Sequence, residues 1–232
     1  MPISRRDFLG YAAGASVAGV AGARGLSSFL PEVARRPSGC LVVDPGPACP
    51  LRESAAGYAA ALSRLRIPYR AISIDALAHA RTMFVPAAVS TEPVVVTKLK
   101  NCLESGSVVL YETGAAFLEP EEFGIHKRVI RSVFGVSLHD PVRLWDSADS
   151  FKQAPYVDYC RPVITKVRDF SRVVPVSGEN AETIAWFGEL SVAVQRRIGR
   201  GKLVFLGSPL GPHLLSDDRE ALGWLGAFCR SC

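Results

Sequence analysis

Residues 108–117 read VVLYETGAAF, and how they fold decides the architecture of the chain. Val108 to Tyr111 form a short, near-continuous apolar run, the pattern of a strand covered on both faces, and Ser107–Tyr111 is the fourth strand in sequence order. It ends in the polar turn Glu112-Thr113-Gly114. Upstream, Pro93–Ser105 has helical spacing, with Cys102 beside Leu99 and Leu103, and Gly106 stands where a left-handed cap stops a helix. Thr82–Val89 is a third strand candidate, interrupted by Pro86, and Tyr69–Ile74 is a second. Residues 51–66 place Leu51, Ala55, Tyr58, Ala59, Leu62 and Leu65 on one helical face. GCLVVD at 39–44 is the first strand, closed by Pro45-Gly46-Pro47. The order strand, helix, strand, strand, helix, strand predicts an α/β fold: an open, mostly parallel, flavodoxin-like sheet with helices on both faces.

Past Gly135 the rhythm changes. Residues 140–180 carry aromatic and proline residues without a helical period and read as loops with short strands. From Glu182 the pattern returns as ETIAWFG, LSVAVQRRI, a Gly199-Arg200-Gly201 turn and KLVFLGS, the last two forming a late β-hairpin. A final helix over roughly Asp217–Cys229 closes the sheet. The domain spans 39–232.

The first 38 residues read differently. Ser4-Arg5-Arg6-Asp7-Phe8-Leu9 resembles the twin-arginine export signal, with Gly10 where Lys is usual, and Arg5 and Arg6 form its charged region. Residues 8–23 are apolar but diluted by Ala and Gly, too short and weak for a spanning helix. Ala21-Gly22-Ala23 offers a small-x-small cleavage site, so 1–23 reads as a signal peptide and 24–38 as a linker. The expectation is export to the periplasm or outside the cell by the twin-arginine machinery, with membrane attachment only through an uncleaved signal. The apolar fraction of 48% and charged fraction of 21% are those of a globular domain. A net charge of +5 over scattered arginines, with no basic-aromatic block, argues against a nucleic-acid surface.

With its third strand broken by proline, a helix ending in ESG, VVLYETG and the late AVQRRIGRGKLVFLGSPLG, the chain resembles the class I glutamine amidotransferase-like superfamily. It is most similar to the branch that includes the trimerisation domain of some beta-galactosidases. Catalytic members carry a cysteine two residues before the glycine of this elbow, beside amide groups that hold an oxyanion. Here Gly114 keeps the glycine and Glu112 takes the place of the cysteine. The family's His-Pro-Glu is also missing, since the corresponding GSPLGPHLLSDD has leucines after His213. Resemblance therefore implies a scaffold without its glutaminase chemistry.

Open α/β sheets bind ligands outside the carboxyl ends of their strands. Asp44, Glu112, Thr113, Gly114, Ser208 and His213 are the candidates there. Glu112 with His213 would make an acid/base pair, and with Asp44 a carboxylate pair for a sugar or metal. The plainer alternative has Asp44 and Thr113 capping turns and Glu112 bridged to an arginine. Cys229-Arg-Ser-Cys232 has redox or metal spacing, yet it falls at a helix C-terminus, where the dipole opposes a thiolate. A disulfide from Cys40 to Cys229 or Cys232 is an alternative that an exported protein allows. Three functions stay open: an exported non-catalytic module for ligand binding or assembly, self-associating or partnering carbohydrate processing; a hydrolase using the strand edge; and a redox or metal protein. No cofactor is called for, and a metal is left open.

Overall fold

The computed structural model describes residues 39–46, 49–90, 92–143, 156–169 and 172–232, so Arg5, Arg6 and the export reading lie outside the described residues. The first half alternates β1 (Cys40–Asp44), α1 (Arg52–Arg64), β2 (Tyr69–Ser73), β3 (Thr82–Ala88), α2 (Pro93–Glu104) and β4 (Val108–Thr113). After it come α3 (Pro120–Phe134), β5 (Val136–Leu138), β6 (Val142–Arg143), β7 (Tyr156–Tyr159), β8 (Thr165–Arg168), β9 (Arg172–Val173) and β10 (Val176–Gly178). The chain closes with β11 (Glu182–Phe187), β12 (Leu190–Ile198), β13 (Gly201–Leu206), α4 (Gly211–Leu215) and α5 (Arg219–Arg230).

One nine-stranded sheet, ordered β2-β1-β3-β4-β13-β12-β11-β7-β8, organises these elements. From β2 to β13 every neighbouring pair is parallel, and this is the α/β core that the sequence predicts. From β13 outward every pair is antiparallel, and two of the short strands within 140–180, β7 and β8, extend the same sheet. The short pairs β5·β10 and β6·β9 stand apart from it.

Period-two alternation sorts the strand residues into two cores. Leu41, Val43, Met83, Val85, Val109, Tyr111, Leu203 and Phe205 face α2 and α3, where Leu99, Cys102, Leu103, Ile130 and Phe134 meet them. Val42, Phe84, Leu110, Val204 and Leu206 face the other way, onto Tyr58, Leu62, Leu214, Trp224 and Phe228 of α1, α4 and α5. Because Leu110 points to this second face, Glu112 two residues on belongs to it too, and Thr113 to the first. The alternation settles which layer each candidate side chain enters.

Two close approaches fix the layer that holds Glu112. A β-carbon on Gly57 would lie 1.9 Å from the Gly211 carbonyl oxygen, so α1 and α4 cross backbone to backbone. At the elbow, Gly114 donates its N–H to the Ala88 carbonyl at 3.1 Å. A β-carbon there would sit 2.6 Å from the Ala87 carbonyl oxygen. Pro86, which cannot donate to a ladder, is absorbed by a shift of register between Val85 and Ala88, and Ala87 takes a φ of 43°. That shift pushes the Ala87 carbonyl toward Gly114, so the sequence's Pro-bearing strand and its retained glycine are two sides of one contact.

Substituting Gly57→Ala is expected to cost about 2 kcal/mol or more, because backbone must move to admit the methyl group. Gly223→Ala, on an α5 position where a β-carbon meets nothing within 4 Å, is expected to stabilise by up to about 1 kcal/mol. Urea unfolding midpoints of the two variants measure the contrast, and similar midpoints would remove the helix-crossing argument.

Candidate functional site

Glu112 ends β4 with its side chain wholly buried among α1, α4 and the sheet. Ser54 Oγ donates to Oε1. Oε2 accepts three bonds: Tyr58 Oη at 2.9 Å, and the backbone N–H groups of Leu210 and Gly211 at 3.0 Å each. Ser54 and Tyr58 stand one turn apart on α1, so both reach the same carboxylate. Leu210, at the N-cap of α4, has no capping oxygen of its own, and Glu112 supplies one from across the layer. Its donors are thus hydroxyls and amides where an arginine was expected. Burial raises the Glu112 pKa, against the lowering effect of Ser54, Gly211, Tyr58 and Leu210. The Tyr58 phenol is pushed well up, first by burial and then by Glu112.

A second buried group adjoins it. Ser208, following β13, donates to Asp169 Oδ2 at 2.5 Å. His213 on α4 brings Nε2 to 3.8 Å from Asp169 Oδ1. Burial raises the Tyr159 phenol, with Asp169 and Glu112 adding to the effect, so the ring on β7 lies in the field of both carboxylates. Asp169 stands between Ser208 and His213, so the relay order serine, histidine, carboxylate is not assembled. His213 and Ser208 share one site through Asp169, whereas the Glu112 hydrogen-bond partners include neither His213 nor Asp44.

The remaining candidates are placed as follows. Asp44 Oδ1 accepts the Gly46 N–H at 2.9 Å beside a cleft of about 460 Å³ that Arg52 also lines. Thr113 Oγ1 accepts the Ala115 N–H at 3.1 Å and lies 3.2 Å from Nε2 of the buried His126 on α3. Burial lowers the His126 pKa to about 4, opposed by the Val89 backbone.

Cys40, Cys229 and Cys232 are free thiols in one neighbourhood at the opposite edge of the sheet. Cys40 is in register with Thr82, the Arg81 guanidinium donates to the Cys232 carbonyl at 2.6 Å, and Cys232 Sγ lies 3.2 Å from the Phe228 carbonyl oxygen. Burial, then Cys40 and Cys232, push the Cys229 thiol up to about 12, which opposes thiolate chemistry. Among the described residues, no group of three or more His, Cys, Asp or Glu is arranged to hold a metal ion. No described helix is long and apolar enough to cross a membrane.

Sequence reading missed Ser54, Tyr58, Tyr159 and Asp169. The polar pair at i and i+4 on an otherwise Ala- and Leu-rich helix was the available signal for the first two. Asp169 lies in a stretch with no period to mark it.

No protein-family model matches the sequence, and no curated protein matches it significantly. Solved structures do resemble its fold. A beta-galactosidase from Rahnella sp. R3 matches over 83% of this chain and 31% of its own, at a TM-score of 0.62 and 14% identity. The exo-beta-1,4-mannosidase Op5Man5 from Opitutaceae bacterium strain TAV5 matches over 83% of this chain and 35% of its own, at 0.59 and 13%. A cytoplasmic protein of Salmonella typhimurium LT2 matches over 74% of this chain and 86% of its own, at 0.56 and 15%. This chain therefore spans about a third of either glycosidase, and the likeness is one of fold.

Glu112→Ala is expected to cost about 3–5 kcal/mol, because two hydroxyls and two amides lose their acceptor in the interior. Glu112→Gln should cost less than about 2 kcal/mol, since the amide oxygen can serve the N–H groups while the amino group faces Ser54. Chemical denaturation distinguishes the two, and equal losses would contradict the capping role. His126 gives a pH signature. Its folded pKa of about 4 lies below the ordinary 6.5, so the unfolded chain binds the extra proton between them. Stability from this group is whole above pH 6.5 and is lost as pH falls toward about 4, by about 3 kcal/mol in all. The raised Glu112 pKa works in the opposite sense, with stability lost as pH rises through it, and cancels on comparison with His126→Gln. The wild type should lose stability against that variant across the window, and parallel curves would refute the assignment.

Proposed function

We propose that this chain is a non-catalytic, amidotransferase-like module, used for ligand binding or assembly alongside carbohydrate processing. The observation that carries the reading is Glu112 itself. In the place where the resembling family sets its nucleophile, this chain sets a carboxylate that is fully buried and bonded to Ser54, Tyr58, Leu210 and Gly211. A group so occupied has no face to offer a substrate. The strand order β2-β1-β3-β4-β13 supports a flavodoxin-like assignment of the parallel half. The likeness to parts of two glycosidases supports the carbohydrate link and the beta-galactosidase trimerisation-like branch.

Export by the twin-arginine route, to the periplasm or outside the cell, belongs to the same proposal and rests on Ser4–Leu9. Pairing of Cys40 with Cys229 or Cys232, which are unbonded thiols in this structure, is the part of the proposal that the oxidising setting would bring about. A second reading, a hydrolase at the strand edge, is favoured by one observation, the buried Asp169 shared by Ser208 and His213.

Assay of the purified full-length protein on nitrophenyl β-galactoside, nitrophenyl β-mannoside and L-glutamine is expected to give no turnover above buffer. Turnover that disappears in Glu112→Gln would overturn the non-catalytic reading in favour of the elbow. Turnover that survives there and disappears in His213→Gln would establish the hydrolase instead.

A further inference from the structure

A cleft of about 560 Å³ opens on the second face of the sheet, beside α5 and away from Glu112. Its floor is apolar, built from Ile184, Val204, Trp224 and Phe228. Its walls carry charge in a telling arrangement. Glu182 is neutralised, with Oε1 held by Arg161 Nε at 2.5 Å and Oε2 by Gln195 Nε2 at 2.7 Å. Arg197 and Lys202 are not. They are directly opposite each other across the antiparallel β12–β13 pair, so their side chains rise from one face of the sheet. Like charges in that relation repel. Among the described residues neither has an acidic partner. Lys202 is instead half-buried, its Nζ 5.8 Å from the centre of the Phe228 ring. Two adjacent cations facing an open cleft, one lodged over an aromatic ring, leave a positive field that an anion would satisfy.

The rest of the lining narrows the class of anion. Asn180 adds a side-chain amide, while Gln195 and Ser231, with one donor each committed to Glu182 and to the Phe228 carbonyl, add acceptor oxygens. Donors and acceptors around an apolar floor suit a ring with hydroxyls on its edge and C–H groups on its face. We infer that this cleft binds an anionic sugar, a hydroxylated ring whose carboxylate sits between Arg197 and Lys202. The anion half of the inference rests on the paired cations alone, and the sugar half also rests on the carbohydrate link proposed above.

Calorimetric titration of the full-length protein with glucuronate, glucose and sodium sulfate tests it. Glucuronate should bind, glucose about tenfold or more weakly, and added salt should weaken the binding of glucuronate. Arg197→Gln and Lys202→Gln should each reduce affinity for glucuronate by about fivefold or more. Both should leave the melting temperature unchanged or slightly raised, since each relieves the repulsion. Absence of glucuronate binding, or binding untouched by both variants, would overturn the proposal. Glucose binding as well as glucuronate would remove the anion, and sulfate binding as well as glucuronate would reduce the site to an adventitious ion only. None of these outcomes bears on turnover, so this inference and the non-catalytic reading can fail separately.

Discussion

A single buried carboxylate ties together the layer behind the carboxyl end of β4. Glu112 gathers two hydroxyls from α1 and two amides from the start of α4, and so joins three elements that the chain brings together from far apart in sequence. Taking a carboxylate out of water costs several kcal/mol, and each bond to a charged acceptor returns about 1.5–3 kcal/mol. The raised pKa of Glu112 shows that burial still outweighs the four donors in setting its proton affinity. The arrangement is therefore better at fixing geometry than at adding net stability. Removing the carboxylate would strand donors that have nowhere else to turn.

That constraint explains the small residues around it. For the Leu210 and Gly211 amides to reach a side chain on β4, α4 must lie against α1 with no side chain between them, which is why Gly57 and Gly211 meet backbone to backbone. The short α4, with no capping oxygen of its own, in turn depends on Glu112 for its first turn. On the opposite layer the elbow is held by a separate set of contacts. Gly114 lies on the bulged strand at Ala87, and Thr113 reaches His126. The two faces of one strand end thus fasten two different helices.

The parallel half of the sheet was legible because its strands are buried on both sides, and such strands write long apolar runs such as VVLY and LVFL. α1 and α2 were legible by period, and the final helix expected over roughly Asp217–Cys229 is α5, capped by Asp218, which accepts the Glu220 and Ala221 N–H groups. The antiparallel extension was not. β7 and β8 alternate in burial but are only four residues each, too short to stand out in the sequence, and depend on neighbours distant in sequence for their identity. α3 escaped because its buried face is only Phe123, His126, Ile130 and Phe134, four residues among many charges. At the site, the sequence pointed to Glu112, Ser208 and His213, which all follow or flank predicted strand ends. It paired Glu112 with His213 or Asp44, but the hydrogen bonds of Glu112 go elsewhere. Nor could it show that Asp169, from the unperiodic stretch, links Ser208 and His213 while Glu112 turns to α1.

Filling part of a strand edge also changes where a ligand can go. In an open α/β fold the carboxyl ends of the parallel strands are the usual binding edge, because loops splay there and helix N-termini point outward. Here Glu112 and Asp169 fill the middle of that edge with polar groups already bonded to protein, and its open part is the cleft beside Asp44 at the end of β1. Unspent capacity also gathers at the other end, where β13 begins. Arg197 and Lys202 face each other there with no acidic partner among the described residues, and the end of α5 contributes Phe228 and Ser231. The antiparallel strands make this possible: they widen the sheet past the helical cover of the parallel half and leave part of the second face uncovered. A scaffold that commits one strand edge to structure leaves its added antiparallel strands as the surface on which polar side chains stay open to solvent.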